Sequence, residues 1–177
     1  QIKAIEKVHE GQKVSKINSS NFDVIALSQS HDEAWVEVFF IRQGKLIGRD
    51  NYLMSIGDND DSISIQTAFI KQFYKVTPYI PPLILTQYDI TEEDKDILIK
   101  FLRSKRNSNV NIHTPKRGER KKLVQMVAEN ASKGMDQLKI SRFVESDNNE
   151  SALIQIQESL NLPTKPYRIE CYDISNI

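Results

Sequence analysis

The sequence predicts an α/β fold, a mixed five-stranded sheet flanked by helices. Three observations carry that prediction. Apolar and polar residues alternate with period two from Asn21 to Met54 in three successive runs. After Met54 the period changes, and helical stretches alternate with two short apolar runs. A helix between two strands of one sheet returns the chain in the same direction, so these later strands must pair in parallel with the sheet that the first three begin.

Each element has its own signal. VIALS, AWVEVFFIR and KLIGRDNYLM are the three alternating strands, and Gln43-Gly44 joins the last two because glycine tolerates the positive φ of a tight hairpin. The polar loop GDNDDS leads into a helix with Ile65, Ala68, Phe69 and Phe73 on one face, stopped by Pro78, Pro81 and Pro82. LILTQ is a continuously apolar strand of the kind buried on both faces. Thr91 and Asp94 form a capping box, followed by a second helix with Ile97, Leu98, Phe101 and Leu102 inward. NVNIH is the fifth strand, and past Pro115 a third helix carries Leu123, Val124, Val127 and Ala131. This element order is that of the ribonuclease H-like fold, although other α/β folds share it.

Segments outside this body are simpler. QIKAIEKVHEGQKV has Ile2, Ile5, Val8 and His9 at helical spacing and Gly11 where a helix would end. From Ser141 to Pro166 the text is a polar, partly helical connector with Leu153, Ile156 and Leu160 as its apolar face. RIECYDISNI, from Arg168, is strand-like again. The expected division is 1–17, 18–140, 141–166 and 167–177, with both ends cut from something longer.

Composition bounds the function. Of 177 residues 39% are hydrophobic, enough for a globular core. Lys plus Arg and Asp plus Glu both number 24, so net charge gives no argument for a nucleic-acid partner and any such case must rest on local clusters. Cys171 is the single cysteine, which excludes an internal disulfide and a cysteine-built zinc site and fits a reducing, cytoplasmic setting. No run approaches the length of a membrane span, and the expectation is a monomer without a membrane partner.

Few residues suggest chemistry. Asp173 shares a strand face with Ile169 and Cys171, and a carboxylate placed among apolar groups needs a cation or donors. Two-metal nucleases supply the cation, but they use several carboxylates. Asp58, Asn59, Asp60 and Asp61 lack the glycine and glutamate of a calcium loop and are expected to be a solvated loop. The run PKRGERKK places Lys116, Arg117, Arg120, Lys121 and Lys122 around Glu119. Such a run is commonly a solvated face, yet cations in a first helical turn oppose the helix dipole, a cost that a bound phosphate would offset. His9, His31 and His113 form no ligand spacing, and Trp35, Phe39 and Phe40 are expected in the strand core.

Four stretches in order, VEVFFIRQGKLIGRDNYL, FIKQFY with the following IPP, PKRGERKKLVQMVAENA and RIECYDISN, resemble the UvrC family, the incision subunits of the bacterial UvrABC nucleotide-excision-repair nuclease. The resemblance implies damaged DNA and UvrB as partners of the parent, with the opening segment similar to the tail of the UvrB-binding module. It implies two nuclease centres there: a GIY-YIG domain for the 3′ cut, absent here, and a ribonuclease H-like domain for the 5′ cut, using Mg2+ or Mn2+. Asp173 matches the first metal-binding carboxylate of the latter, catalytic only in the full-length protein. The expectation for this chain is no metal and no cofactor. Laid against the ribonuclease H-like pattern, the sheet's own elements put Ser28, Gln87 and Lys121 at the catalytic positions. A hydroxyl, an amide and an ammonium do not neutralise two divalent ions. The sheet is therefore expected to be a silent copy, acting as scaffold or as a DNA-contacting domain through its basic helix start. The alternatives are a self-contained metal nuclease using Asp173, Asp23 and the GDNDD loop, and a pure protein-interaction module.

Overall fold

The computed structural model describes residues 20–57, 60–166 and 168–170. The chain divides into two compact units between Met135 and Asp136. In the first, β1 (Phe22–Gln29), β2 (Glu33–Arg42) and β3 (Lys45–Ser55) form an antiparallel meander. They are followed by α1 (Ser62–Val76), β4 (Leu83–Thr86), α2 (Glu92–Arg106), β5 (Asn111–His113) and α3 (Glu119–Ser159). The five strands lie in the order β3-β2-β1-β4-β5, with β4 parallel to both β1 and β5. The mixed sheet expected from the element order is present.

Local chemistry sets the boundaries. Gln43 and Gly44 both have positive φ, 51° and 72°, the pairing that a two-residue hairpin needs to match strand twist. Asp61 caps α1 by accepting from Ser64 N at 2.7 Å, and Thr91 accepts from Asp94 N at 3.3 Å to cap α2. A bulge between Phe40 and Ile41 breaks the β2–β3 register, leaving Ile47 as the extra residue on the edge strand, 64% exposed. The sheet buries both faces. Ile25, Leu27, Val38 and Ile84 pack with Phe69, Ile70 and Leu102 on the α1/α2 side. Phe22, Val24, Ala26 and Leu85 pack with Val124 and Val127 on the α3 side.

Several expectations need correction. Ala68 is exposed, and the fully buried Gln66 takes a place on the inner face of α1. Ile97 is 62% exposed: Leu98 and Leu102 are the buried residues of α2, with partly buried Ile99 and Phe101 packed beside them, and Ile97 lies about 100° around the helix from Leu98. The third helix does not give way to a connector at Ser141 but runs 41 residues to Ser159. No proline or glycine occurs between Gly134 and Pro163, so nothing in the polar connector breaks it. In the second unit, Arg168 to Glu170 is not a strand, though Arg168 and Glu170 form an ion pair. The opening helix, Asp58, Asn59 and the stretch containing Asp173 lie outside the described residues.

Candidate functional site

Strand alternation puts Phe22, Val24, Ala26 and Ser28 on the α3 face of β1, with Ser28 opposite Trp35 of β2. Gln87 follows β4, the parallel neighbour of β1, so the structure brings Ser28 and Gln87 to the same end of adjacent strands. Gln87 is used up there. Its Oε1 accepts from Leu27 N at 2.8 Å, extending the β1–β4 ladder with a side chain where the backbone has turned away, and its Nε2 donates to Tyr88 OH at 3.2 Å.

Around it is a clasp that sequence reasoning missed. Gln66, fully buried on α1, accepts from Gln87 N at 3.1 Å and Tyr88 N at 3.0 Å and donates to Tyr88 O at 2.9 Å. Thr114, just past β5, donates to the same Tyr88 carbonyl at 3.0 Å. Its single proton being spent, Thr86 must be the donor in the 2.8 Å contact between the two threonine hydroxyls. Amide and hydroxyl groups thus tie together α1 and the ends of β1, β4 and β5. The available signal was a glutamine inside the apolar stripe of a helix, since a buried amide requires partners.

The buried carboxylates lie elsewhere and are already engaged. Asp23, 1% exposed, is on the opposite face from Ser28. Arg42 Nη1 donates to its Oδ1 at 2.7 Å, and Tyr74 OH donates to its Oδ2 at 2.7 Å. Burial pushes the Asp23 carboxyl up, against the downward pull of Tyr74 and Arg42. The Arg42 guanidinium also sits 4.5 Å from the Tyr79 ring centre. Glu37, 5% exposed on β2, accepts from Trp35 Nε1 at 3.3 Å, and burial pushes its carboxyl up as well. Asp61 is the α1 cap, and Asp60 accepts from Gly57 N at 2.8 Å. Among the described residues no three His, Cys, Asp or Glu side chains converge as a metal site, and His31 and His113 are exposed and far apart in sequence.

The basic run surrounds the start of α3. Gly118, φ 80°, accepts at its carbonyl from Lys121 N at 3.1 Å and Lys122 N at 3.2 Å, so the helix begins on a residue with no capping side chain. Lys116 Nζ lies 3.2 Å from Asp89 Oδ2, and Lys122 Nζ lies 3.6 Å from Glu119 Oε1. Exposed Arg117 and Arg120 and half-buried Lys121 have no ion pair among the described residues. The part of α3 that touches the Ser28 neighbourhood is Gly134, against Trp35, more than three helical turns beyond Lys121.

The model of the UvrC ribonuclease H-like domain matches residues 21–138. UvrABC system protein C of Symbiobacterium thermophilum is 45% identical over 177 residues, covering 100% of this chain and 28% of that protein. The protein of that name in Clostridioides difficile is 38% identical over 177 residues, covering 99% of this chain and 29% of the relative. Among solved structures, human ENDOV is similar at TM-score 0.32 and 8% identity over 44% of this chain and 39% of its own, too slight a likeness to carry an argument. The chain spans under a third of the length of the curated relatives it matches. With the domain model matching most of the chain and relatives aligned along its length, the chain belongs to the UvrC family.

Proposed function

We propose that the sheet and its helices are a ribonuclease H-like domain that retains the fold without the reaction, and that it serves the excision nuclease as a scaffold contacting DNA through the start of α3. The observation that carries this reading is the clasp. At the strand ends where a two-metal centre would need charged oxygens, the side chains are amides and hydroxyls, and the Gln87 amide is bonded to Leu27 N and Tyr88 OH. Mg2+ or Mn2+ does not fit such a donor set, because neutral oxygens already bonded to the protein supply no negative charge. The ion pair of Asp23 with Arg42, on the other face, argues against a self-contained nuclease. In the full-length protein, Asp173 would be a metal ligand of the 5′-incision domain that opens at about residue 167, and UvrB and damaged DNA would be the partners.

DNA contact through Lys116, Arg117, Arg120, Lys121 and Lys122 is tested by salt dependence. Each phosphate neutralised releases counterions, so four full contacts predict a slope of log K against log salt of about −3 to −4, and a fifth through Lys116 about −4 to −5. Changing all five to glutamine should abolish most of that slope in anisotropy titrations of the chain with a duplex. An unchanged slope overturns the DNA reading. Cleavage of DNA by this chain in manganese overturns the silent-domain reading.

A further inference from the structure

We propose that Asp89 is a built-in competitor for DNA phosphate at Lys116, so that one of the five cations is held in reserve. The inference rests on the DNA-contact reading above. The five cations are not equivalent. Arg117, Arg120 and Lys121 have no ion pair among the described residues, and Lys122 pairs with Glu119, three residues away on its own helix. Lys116 alone is paired across the fold, to a carboxylate in the loop after β4, at 3.2 Å.

The scaffold fixes that pairing. Asp89 follows Tyr88, whose backbone N and O are both held by Gln66. Lys116 comes two residues after Thr114, which donates to the same Tyr88 carbonyl at 3.0 Å. The backbone segments that carry the two charged residues are therefore held beside one carbonyl, which keeps the carboxylate and the ammonium within reach of each other. A carboxylate oxygen and a phosphate oxygen make the same charge-assisted hydrogen bond to lysine. An arriving phosphate must then either displace Asp89 or bind beside it and be repelled. Either way Asp89 weakens the contact that Lys116 makes, without touching the three unpaired cations. Such a contact favours a domain that holds DNA loosely and lets it go.

The test is a double-mutant cycle, read by anisotropy of the 177-residue chain on a labelled duplex at several salt concentrations. Asp89→Asn should tighten binding by at least about 1.4-fold and by up to about fivefold, the range set by an exposed ion pair. The salt slope should steepen by about one, as Lys116 takes a phosphate. In a Lys116→Gln background the same substitution should change nothing. Glu93→Gln, which removes a charge from α2 without touching Lys116, serves as a control and should have little effect. No gain from Asp89→Asn overturns the proposal, as does an equal gain in both backgrounds or an equal gain from Glu93→Gln. The DNA reading is judged separately, by the triple substitution of Arg117, Arg120 and Lys121 to Gln. Binding that survives the triple removes that reading and the Asp89 proposal with it, whereas binding lost in the triple with a failed cycle removes only the role of Asp89.

Discussion

Gly134 offers a test in which local and tertiary effects have opposite signs. It lies inside α3, where alanine is favoured over glycine by about 1 kcal/mol from backbone entropy alone. A Cβ at this position would fall 2.4 Å from both Cε2 and Nε1 of Trp35, and 3.0 Å from Cδ1. Carbon contacts are comfortable at about 3.5–4.0 Å, so the methyl overlaps the indole by roughly 1 Å. The indole is not a free end. It sits on β2 opposite Ser28 and Leu53, and its Nε1 donates to the buried Glu37. Moving helix or indole carries an overpacking cost of about 1–3 kcal/mol, and breaking the bond to Glu37 adds a further ~1.5 kcal/mol or more. Gly134→Ala should therefore lower stability by about 1–3 kcal/mol net, a fall in Tm of about 2–4 °C per kcal/mol for a chain of this size. Urea and thermal melts monitored by tryptophan fluorescence read it directly, since Trp35 is the single tryptophan. In a Trp35→Val background the sign should reverse toward the helix-propensity gain. A stabilised Gly134→Ala in the unaltered chain would refute the close packing of α3 on β2.

Other perturbations address the buried polar groups. Gln66→Leu orphans the amides of Gln87 and Tyr88 and should cost about 2–6 kcal/mol in urea melts; a cost under 1 kcal/mol would mean that the clasp is not structural. Asp23→Ala removes both the counter-charge of the Arg42 guanidinium and the acceptor of the buried Tyr74 hydroxyl and should cost about 3–5 kcal/mol, with an unchanged urea midpoint as the contrary result. For Glu37 the folded pKa is raised by burial, so the native state binds its proton more tightly than the unfolded chain does. Its contribution to stability must fall as pH rises from the ordinary value of 4.5 through the raised one. Glu37→Gln, which keeps an acceptor for Trp35, should then be more stable than the parent at pH 7 and lose that advantage toward pH 4. The same advantage at both pH values would place the effect in packing rather than ionisation.

What could be read in the sequence was local. The Gln43-Gly44 turn, the Thr91 cap and the change of period after Met54 each declare themselves within a few residues, and together they specify the element order and the mixed sheet. What stayed hidden depends on partners distant in sequence. Gln66 binds backbone 21 and 22 residues away, and Gln87 binds Leu27 60 residues away, pairings that periodicity does not encode. Nothing in the residues around Gly134 marks its missing side chain as space for an indole on a distant strand. The inward faces of α1 and α2 were only half legible. Ala68 and Ile97 fit an apolar stripe as well as the residues that fill it, and the choice is made by where the sheet lies. For the candidate site, the basic run was visible, but which of its cations is already paired was not.

The outer edge of β3 also bears on association. In a sheet extended across a two-fold axis, strands run antiparallel and residues of equal parity face each other. The register of full overlap for Lys45–Ser55 sets Asp50 against its own copy, and the neighbouring register centred one residue earlier sets Arg49 against Arg49. Both side chains are exposed, and Ile47 bulges out of the ladder beside them. Like charge at the centre and a bulge toward one end make this strand a poor template for itself. The longest strand of the domain can therefore stay open to solvent at high local concentration without nucleating a continuous intermolecular sheet.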